Sequence, residues 1–116
     1  MTKQALTGDE KLVISRIAEM LPGNKRLQLM ADMENAIAEA RDDDGSRVVF
    51  QIIGYQRPPY KGQHSFGIAG KLSDKDGTEL WLDLYADEND RLLELEIIRP
   101  GPGRILGPDW SSLVLF

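Results

Sequence analysis

The stretch that decides the fold is ELWLDLYADENDRLLELEII, residues 79–98. Leucines alternate with polar or aromatic residues over 79–85, and apolar residues alternate with glutamates over 92–98. A period of two is typical of a strand with one buried face. The segment 86–90 between them has the Asp and Asn content of a turn. We therefore predict two antiparallel strands, 79–85 and 92–98, joined as a hairpin.

Two further strands are predicted upstream of this hairpin. Residues 64–72 alternate in the same way and lead into 79–85 through the turn SDKDG, so that three consecutive strands form a meander. Residues 47–55 are rich in Val, Ile and aromatic side chains at both odd and even positions, which predicts a central strand buried on both faces. The prolines and glycines of 54–63 indicate a loop between them.

The N-terminal part of the chain has helical periodicity. Thr7 and Glu10 have the spacing of a capping box, and a helix is predicted over 8–21, before Pro22-Gly23. Apolar residues recur every four positions over 27–40, where a second helix could reach the aspartate turn. Residues 35–41 are equally compatible with a strand. The expected fold is a single α+β domain, 1–116, with one or two N-terminal helices on an antiparallel sheet of about five strands. The apolar segment 110–116 is expected to pack against it.

Composition limits the function. The 116 residues include 14 Lys and Arg against 19 Asp and Glu, a net charge of −5, and no cysteine. Disulfides, thiolate zinc sites and cysteine nucleophiles are therefore excluded. The acidic balance argues against direct nucleic-acid binding and favours a basic partner. No signal peptide and no stretch of roughly 20 apolar residues is present, so we expect a cytoplasmic protein without membrane contact.

The strands of the hairpin present acidic and aromatic side chains on the face opposite their leucines. We call this set the acidic-aromatic face; it comprises Trp81, Asp83, Tyr85, Glu94 and Glu96. If Tyr85 pairs with Leu92, Asp83 lies opposite Glu94. If the preceding hairpin closes with Leu72 opposite Thr78, Lys71 falls next to Glu79 at the edge, and no cation stands beside Asp83 and Glu94. Such a surface fits a cationic protein partner, with the aromatic residues as anchors. A solvated face neutralised by Arg91, Arg99 or Arg104 is the alternative.

Motifs for metals, cofactors or catalysis are incomplete. Asp74-x-Asp76-Gly77 resembles the start of a calcium loop, but Leu72 occupies the first ligand position, so a hairpin turn is predicted. The adjacent aspartates Asp42, Asp43 and Asp44 point in different directions, which predicts a solvated turn. His64 is the single histidine, and neither a metal site nor a cofactor is expected.

The stretch 74–97 resembles a family of small uncharacterised bacterial proteins. The shared pattern is an Asp-x-Asp-Gly turn, an alternating strand, an acidic turn and a Leu-x-Glu-Leu strand, and residues 36–50 are similar to its upstream part. The resemblance implies a strand over 35–41. Small acidic α+β proteins of this kind resemble the immunity proteins of bacterial toxin systems, including contact-dependent growth inhibition. These proteins bind the toxin domain of their own cell and block it.

This resemblance implies an immunity protein, not an enzyme. We expect a monomer that covers the active site of a cognate toxin domain, a basic nuclease, through the acidic-aromatic face, with Asp42, Asp43 and Asp44 as a second patch. An alternative is a small hydrolase or ligand-binding domain that uses the 55–64 loop and the carboxylates. It predicts a deep pocket with a perturbed carboxylate inside. A third is a homo-oligomer in which the same face pairs with itself.

Overall fold

Two helices pack on one face of a seven-stranded antiparallel sheet in the computed structural model, which describes residues 4–116. The helices are α1 (Gly8–Glu19) and α2 (Gly23–Glu34). The strands are β1 (Gln4–Ala5), β2 (Ala36–Arg41), β3 (Arg47–Ile52), β4 (His64–Ser73), β5 (Glu79–Ala86), β6 (Leu92–Ile98) and β7 (Asp109–Leu115). Their order across the sheet is β1-β2-β3-β6-β5-β4-β7. None of the helices described is long and apolar enough to cross a membrane.

The α+β prediction is confirmed, and the sheet is larger than expected. The predicted meander is β4-β5-β6, and β3 joins it by pairing with β6. The strand that the resemblance implies over 35–41 begins one residue later, because Asn35 caps the end of α2 and residues 36–41 then pair along β3 as β2. The sheet gains two strands that the sequence analysis did not assign: the short β1, and β7, which runs along β4.

Helix α1 begins at the predicted capping box. The Thr7 hydroxyl accepts a hydrogen bond from Glu10 N at 3.1 Å, and Glu10 Oε1 accepts one from Thr7 N at 2.8 Å. The same carboxylate binds the Arg41 guanidinium at 2.8 Å, which ties the start of α1 to β2. The helix ends at Glu19, two residues before the predicted end at 21.

The core lies between the helices and one face of the sheet. Fully buried side chains of α1 and α2, among them Ile14, Ile17 and Leu29, pack against Leu80 and Leu84 of β5. Each strand contributes alternate residues to this layer, so its other residues face away from the helices. One sheet face is therefore the core wall, and we call the opposite one the outer face.

The hairpin register differs by two residues from the predicted one. Asp83 pairs with Glu96 instead of Glu94, and Tyr85 pairs with Glu94 instead of Leu92. The turn closes between Asp87 and Arg91, and an irregularity between Tyr85 and Ala86 adds one residue on β6. The turn closure and this bulge each shift the register by one residue, and the combined shift of two keeps Glu94 and Glu96 on the predicted face. Leu92, on the other side of the bulge, faces the core.

The same shift occurs between β4 and β5. Their turn closes by hydrogen bonds within 74–78 instead of at Leu72, so that Trp81 pairs with Lys71 and Asp83 with Ala69. Lys71 was predicted to lie beside Glu79 at the edge of the face. It lies instead next to the tryptophan, in the middle of one side of the outer face.

A buried ion pair fastens α2 to the sheet. The Asp32 carboxylate is 1% exposed and accepts two hydrogen bonds from Arg91 Nε, at 3.0 and 3.1 Å, and one from Arg91 Nη2 at 2.8 Å. Leu92 N and Gln28 Nε2 complete its coordination. The charge of Asp32 is thus matched by a guanidinium and two neutral donors.

The loop 53–63 is held by an arginine-tyrosine stack. The Arg91 guanidinium lies 4.2 Å from the Tyr55 ring centre, and Arg57 lies 5.7 Å from it. Tyr55 OH donates to Asp87 at 2.7 Å, and Arg57 donates to Asp87 and to the carbonyls of Phe50 and Leu92. This network fixes the first half of the loop against the ends of β3 and β6.

Candidate partner-binding face

The acidic-aromatic face is formed by adjacent strands on the outer face. Trp81, Asp83 and Tyr85 project from β5, and Glu94 and Glu96 project from β6. Asp83 pairs directly with Glu96, and Tyr85 pairs directly with Glu94. The structure therefore brings the five predicted residues together. Asp42, Asp43 and Asp44 lie outside these two strands, in the turn between β2 and β3, which meets the end of β6 where Ile97 N donates to the Ser46 carbonyl.

Tyr85 stands among three carboxylates. Burial, together with the nearby charges of Asp83, Glu96 and Glu94, raises the pKa of Tyr85 to about 12. Its hydroxyl donates to Glu96 Oε1 at 3.3 Å. The phenol is therefore neutral at physiological pH and acts as a hydrogen-bond donor within the acidic cluster.

The carboxylates of this cluster have few donors of their own. Glu94 is 8% exposed, yet its contacts are long: Gln63 Nε2 at 3.5 Å and Arg47 Nη1 at 3.6 Å. Asp83 accepts one hydrogen bond from the Ser65 hydroxyl at 2.6 Å. Carboxylates with unused lone pairs favour additional cationic donors from outside.

Two cations border the face, and the predicted absence of cations is wrong. Arg47 pairs with Glu96 across β3 and β6. Lys71 Nζ lies 4.5 Å from the Trp81 ring centre and 5.5 Å from that of Phe116. Both positions follow from the observed register. Lys71 is held on aromatic rings, so it leaves the carboxylates free.

An apolar strip continues the face beyond Trp81. It consists of Trp81, Ile98, Val114 and Phe116, with exposed fractions of 37%, 50%, 59% and 54%. Trp81 pairs with Ile98 on one side and contacts the edge of Phe116 at a centroid distance of 6.4 Å on the other. The alternation of 92–98 predicts that Ile98 lies on the same face as Glu94 and Glu96. Val114 and Phe116 were missed because 110–116 was not assigned as a strand.

The flanking arginines are engaged elsewhere. Arg91 binds Asp32, and Arg99 binds Asp74 and Asp76 at 2.6 and 2.7 Å. Arg104 lies close enough to Asp44 to lower the pKa of that carboxyl, although hydrogen bonds from Ser46 are the main cause of the decrease. The alternative in which these three arginines neutralise the acidic-aromatic face therefore loses its main donors.

The remaining acidic motifs are turns. Asp74 and Thr78 close the predicted hairpin turn, and Ser46 donates to both Asp42 and Asp44 within the aspartate turn. Among residues 4–116, no group of three or more His, Asp or Glu side chains is placed to hold a metal ion.

The Asp74 carboxylate anchors the segment after β6. Burial alone would raise the pKa of Asp74, but hydrogen bonds from Leu106 N, Gly107 N and Lys75 N, followed by one from Arg99, lower it to about 2. A folded-state pKa below the ordinary 3.8 means that this group stabilises the fold above about pH 4 and loses that contribution as the pH falls towards 2.

We therefore expect the free energy of unfolding to fall between about pH 4 and pH 2, with Asp74 as one source of the decrease. Urea denaturation of the wild type and of Asp74→Asn across this range measures it. The variant is expected to be less stable at neutral pH and to show a shallower dependence on pH. Asp43→Asn, at an exposed position of the other turn, should keep the wild-type slope. Equal slopes for Asp74→Asn and wild type would contradict the assignment.

Two cavities of the structure are lined by none of the five residues of the acidic-aromatic face. One of 240 Å³ is lined by Gln51, Tyr55 and Arg57 among others, and one of 220 Å³ by His64 and Ser65 among others. His64 Nε2 lies 2.7 Å from Asp90 Oδ1, whereas the Ser65 hydroxyl donates to Asp83. Ser65 and His64 therefore do not form a nucleophile-base pair, which would need a hydrogen bond between them.

Comparisons with known proteins give no relative. No protein-family model, no curated protein and no solved structure matches the chain. The geometry of the outer face is consequently the basis for a functional proposal.

Proposed function

We propose that this chain is an immunity protein that binds a basic toxin domain, a nuclease, and neutralises it by covering its active site. The observation that carries the proposal is the acidic-aromatic face itself. Asp83, Glu94 and Glu96 surround two aromatic residues on the side of the sheet that the helices leave open. The resemblance of the sequence to small acidic immunity proteins supports the same function.

Charge complementarity supports a basic partner. A nuclease binds phosphates and therefore concentrates Lys and Arg around its active site. The net charge of −5 attracts such a surface over long range and raises the association rate. At contact, the partly exposed Asp83 and Glu96 would accept hydrogen bonds from the same Lys and Arg side chains that otherwise bind the nucleic acid, while the buried Glu94 adds its charge to the face.

The aromatic and apolar residues supply the remaining binding energy. Trp81 is more than one-third exposed and belongs to both the acidic-aromatic face and the apolar strip. Aromatic residues with an apolar surround and a charged border are typical of the centre of a protein interface. Lys71 on the Trp81 ring keeps the indole in one position before the partner arrives.

Co-purification with the product of the neighbouring gene, followed by measurement of affinity, tests this proposal. Asp83→Lys with Glu96→Lys is expected to weaken binding by about 100-fold or more, because two favourable contacts become repulsive. The double variant Glu19→Lys with Glu34→Lys makes the same charge change at exposed helix positions on the other side. It should retain most of the affinity. Equal losses in both variants would indicate non-specific attraction, and an unchanged affinity of the first would remove this face from the interface.

A further inference from the structure

Strand β7 leaves one edge of the sheet open. Its one neighbouring strand among residues 4–116 is β4. Phe116 and Ala69 exchange both of their backbone hydrogen bonds, at 2.9 and 3.0 Å, so the peptide groups of Phe116 and, two residues earlier, Val114 point towards β4. Because this direction alternates along a strand, the peptide groups of Leu113 and Leu115 point away from the sheet.

This edge lacks the features that protect other edges from pairing. Residues 110–116, WSSLVLF, contain no charged residue and no proline. Lysines, prolines and inward charges are the usual means by which an edge strand is kept from pairing with another chain. The Leu113 carbonyl accepts one hydrogen bond, at 3.4 Å, from Arg16 of α1. That bond is long, and a strand placed beside β7 would replace it with a shorter one.

We propose that two copies of this chain pair antiparallel through β7. The pattern of outward peptide groups is self-complementary: Leu113 of each copy meets Leu115 of the other, which gives four backbone hydrogen bonds around a two-fold axis at Val114. A two-fold interface uses the same patch on both copies, as this register requires. The two sheets become one continuous sheet of fourteen strands, twice the seven of one copy.

Side chains on the outer face favour the same arrangement. Val114 is 59% exposed and would lie beside its own counterpart, at the short spacing of a direct cross-strand pair. Phe116 of each copy would extend the apolar strip across the axis. Residues 110–116 carry no charge, so no like charges meet where the two edges pair. The net charge of −5 on each copy therefore opposes the dimer only through long-range repulsion.

The dimer differs from the monomer expected from the sequence, and it leaves the acidic-aromatic faces free. A two-fold axis perpendicular to the sheet keeps both outer faces on the same side. Salt then has opposite effects on the two interactions. Screening strengthens the pairing of two acidic copies, whereas it weakens attraction between the acidic-aromatic face and a basic partner.

Sedimentation equilibrium of the full chain over a wide concentration range tests the pairing. Val114→Lys is expected to raise the dimer dissociation constant by about tenfold or more, since two ammonium groups then meet at the axis. Ile98→Lys makes a similar change on the same outer face, but three strands from β7, about 14 Å away, and should leave the dissociation constant within about twofold. A monomer at all concentrations, or a dimer that Val114→Lys leaves intact, would overturn the proposal.

Hydrogen exchange distinguishes edge pairing from association through the outer face. In the proposed dimer the amides of Leu113 and Leu115 become protected as the concentration rises, while Phe116 N, bonded to Ala69 O, is protected at every concentration. A dimer in which Leu113 and Leu115 stay unprotected would show that the copies meet elsewhere. Concentration-dependent protection of both amides, together with the Val114→Lys effect, supports pairing through β7.

Discussion

Replacement of Arg91 by alanine is expected to lower the free energy of unfolding by about 3–5 kcal/mol. The guanidinium binds the Asp32 carboxylate through Nε and Nη2, and that carboxylate is 1% exposed. Without the arginine, the buried Asp32 carboxylate keeps only Leu92 N and Gln28 Nε2 as partners. The variant also loses the cation above the Tyr55 ring, so that the loop 53–63 loosens at the same time.

Urea denaturation at neutral pH measures this effect. Arg104→Ala removes an exposed arginine and should change the free energy of unfolding by no more than about 0.5 kcal/mol. The double variant Asp32→Ala with Arg91→Ala should be less destabilised than the sum of the two single variants, because it leaves no buried charge without a partner. A loss below about 1 kcal/mol for Arg91→Ala would mean that water or another group satisfies Asp32.

The second large effect is expected at Leu84, on the core side of β5. Leu84 is 0% exposed, and its replacement by alanine should cost about 3 kcal/mol through lost burial and the cavity that remains. Trp81→Ala, three residues earlier on the outer side of the same strand, should cost about 1 kcal/mol or less, since the indole is 37% exposed and leaves no cavity.

The two variants separate stability from binding when denaturation and partner affinity are measured together. Leu84→Ala should lower the unfolding midpoint and bind normally while folded, whereas Trp81→Ala should retain the midpoint and lose affinity. If Trp81→Ala unfolds as easily as Leu84→Ala, the outer face contributes to the core, and its exposed aromatic residue has a structural role.

The sequence was sufficient to predict which residues of a strand share a face of the sheet. A period of two assigns each side chain to a face, whichever strand lies beside it. The alternation therefore predicted one shared face for Trp81, Asp83 and Tyr85 of β5 and Glu94 and Glu96 of β6, and the structure places them on one face. Register was not predictable in the same way. It depends on where each turn closes and on the additional residue of β6 opposite the step from Tyr85 to Ala86, and these are set by local backbone hydrogen bonds that alternation does not encode.

The parts of the site that were missed depend on that register or on undetected strands. Arg47 and Lys71 reach the face only through the observed pairs with Glu96 and Trp81. Residues 110–116 do not alternate clearly, so β7 carried no strand signal of its own and forms because β4 offers it an edge. The boundary between α2 and β2 at Asn35 was not predictable either, because the four-residue spacing of apolar side chains continues from the helix into the strand.

The anchor at Asp74 has a consequence for how the sequence can vary. The carboxylate holds the segment after β6 through the backbone N–H groups of Leu106 and Gly107, at distances of 2.8 to 3.1 Å. Every residue type except proline offers such a donor. Substitutions at 106 and 107 other than proline should therefore leave the path of this segment unchanged, provided that the carboxylate at 74 and the arginine at 99 that binds it are both retained.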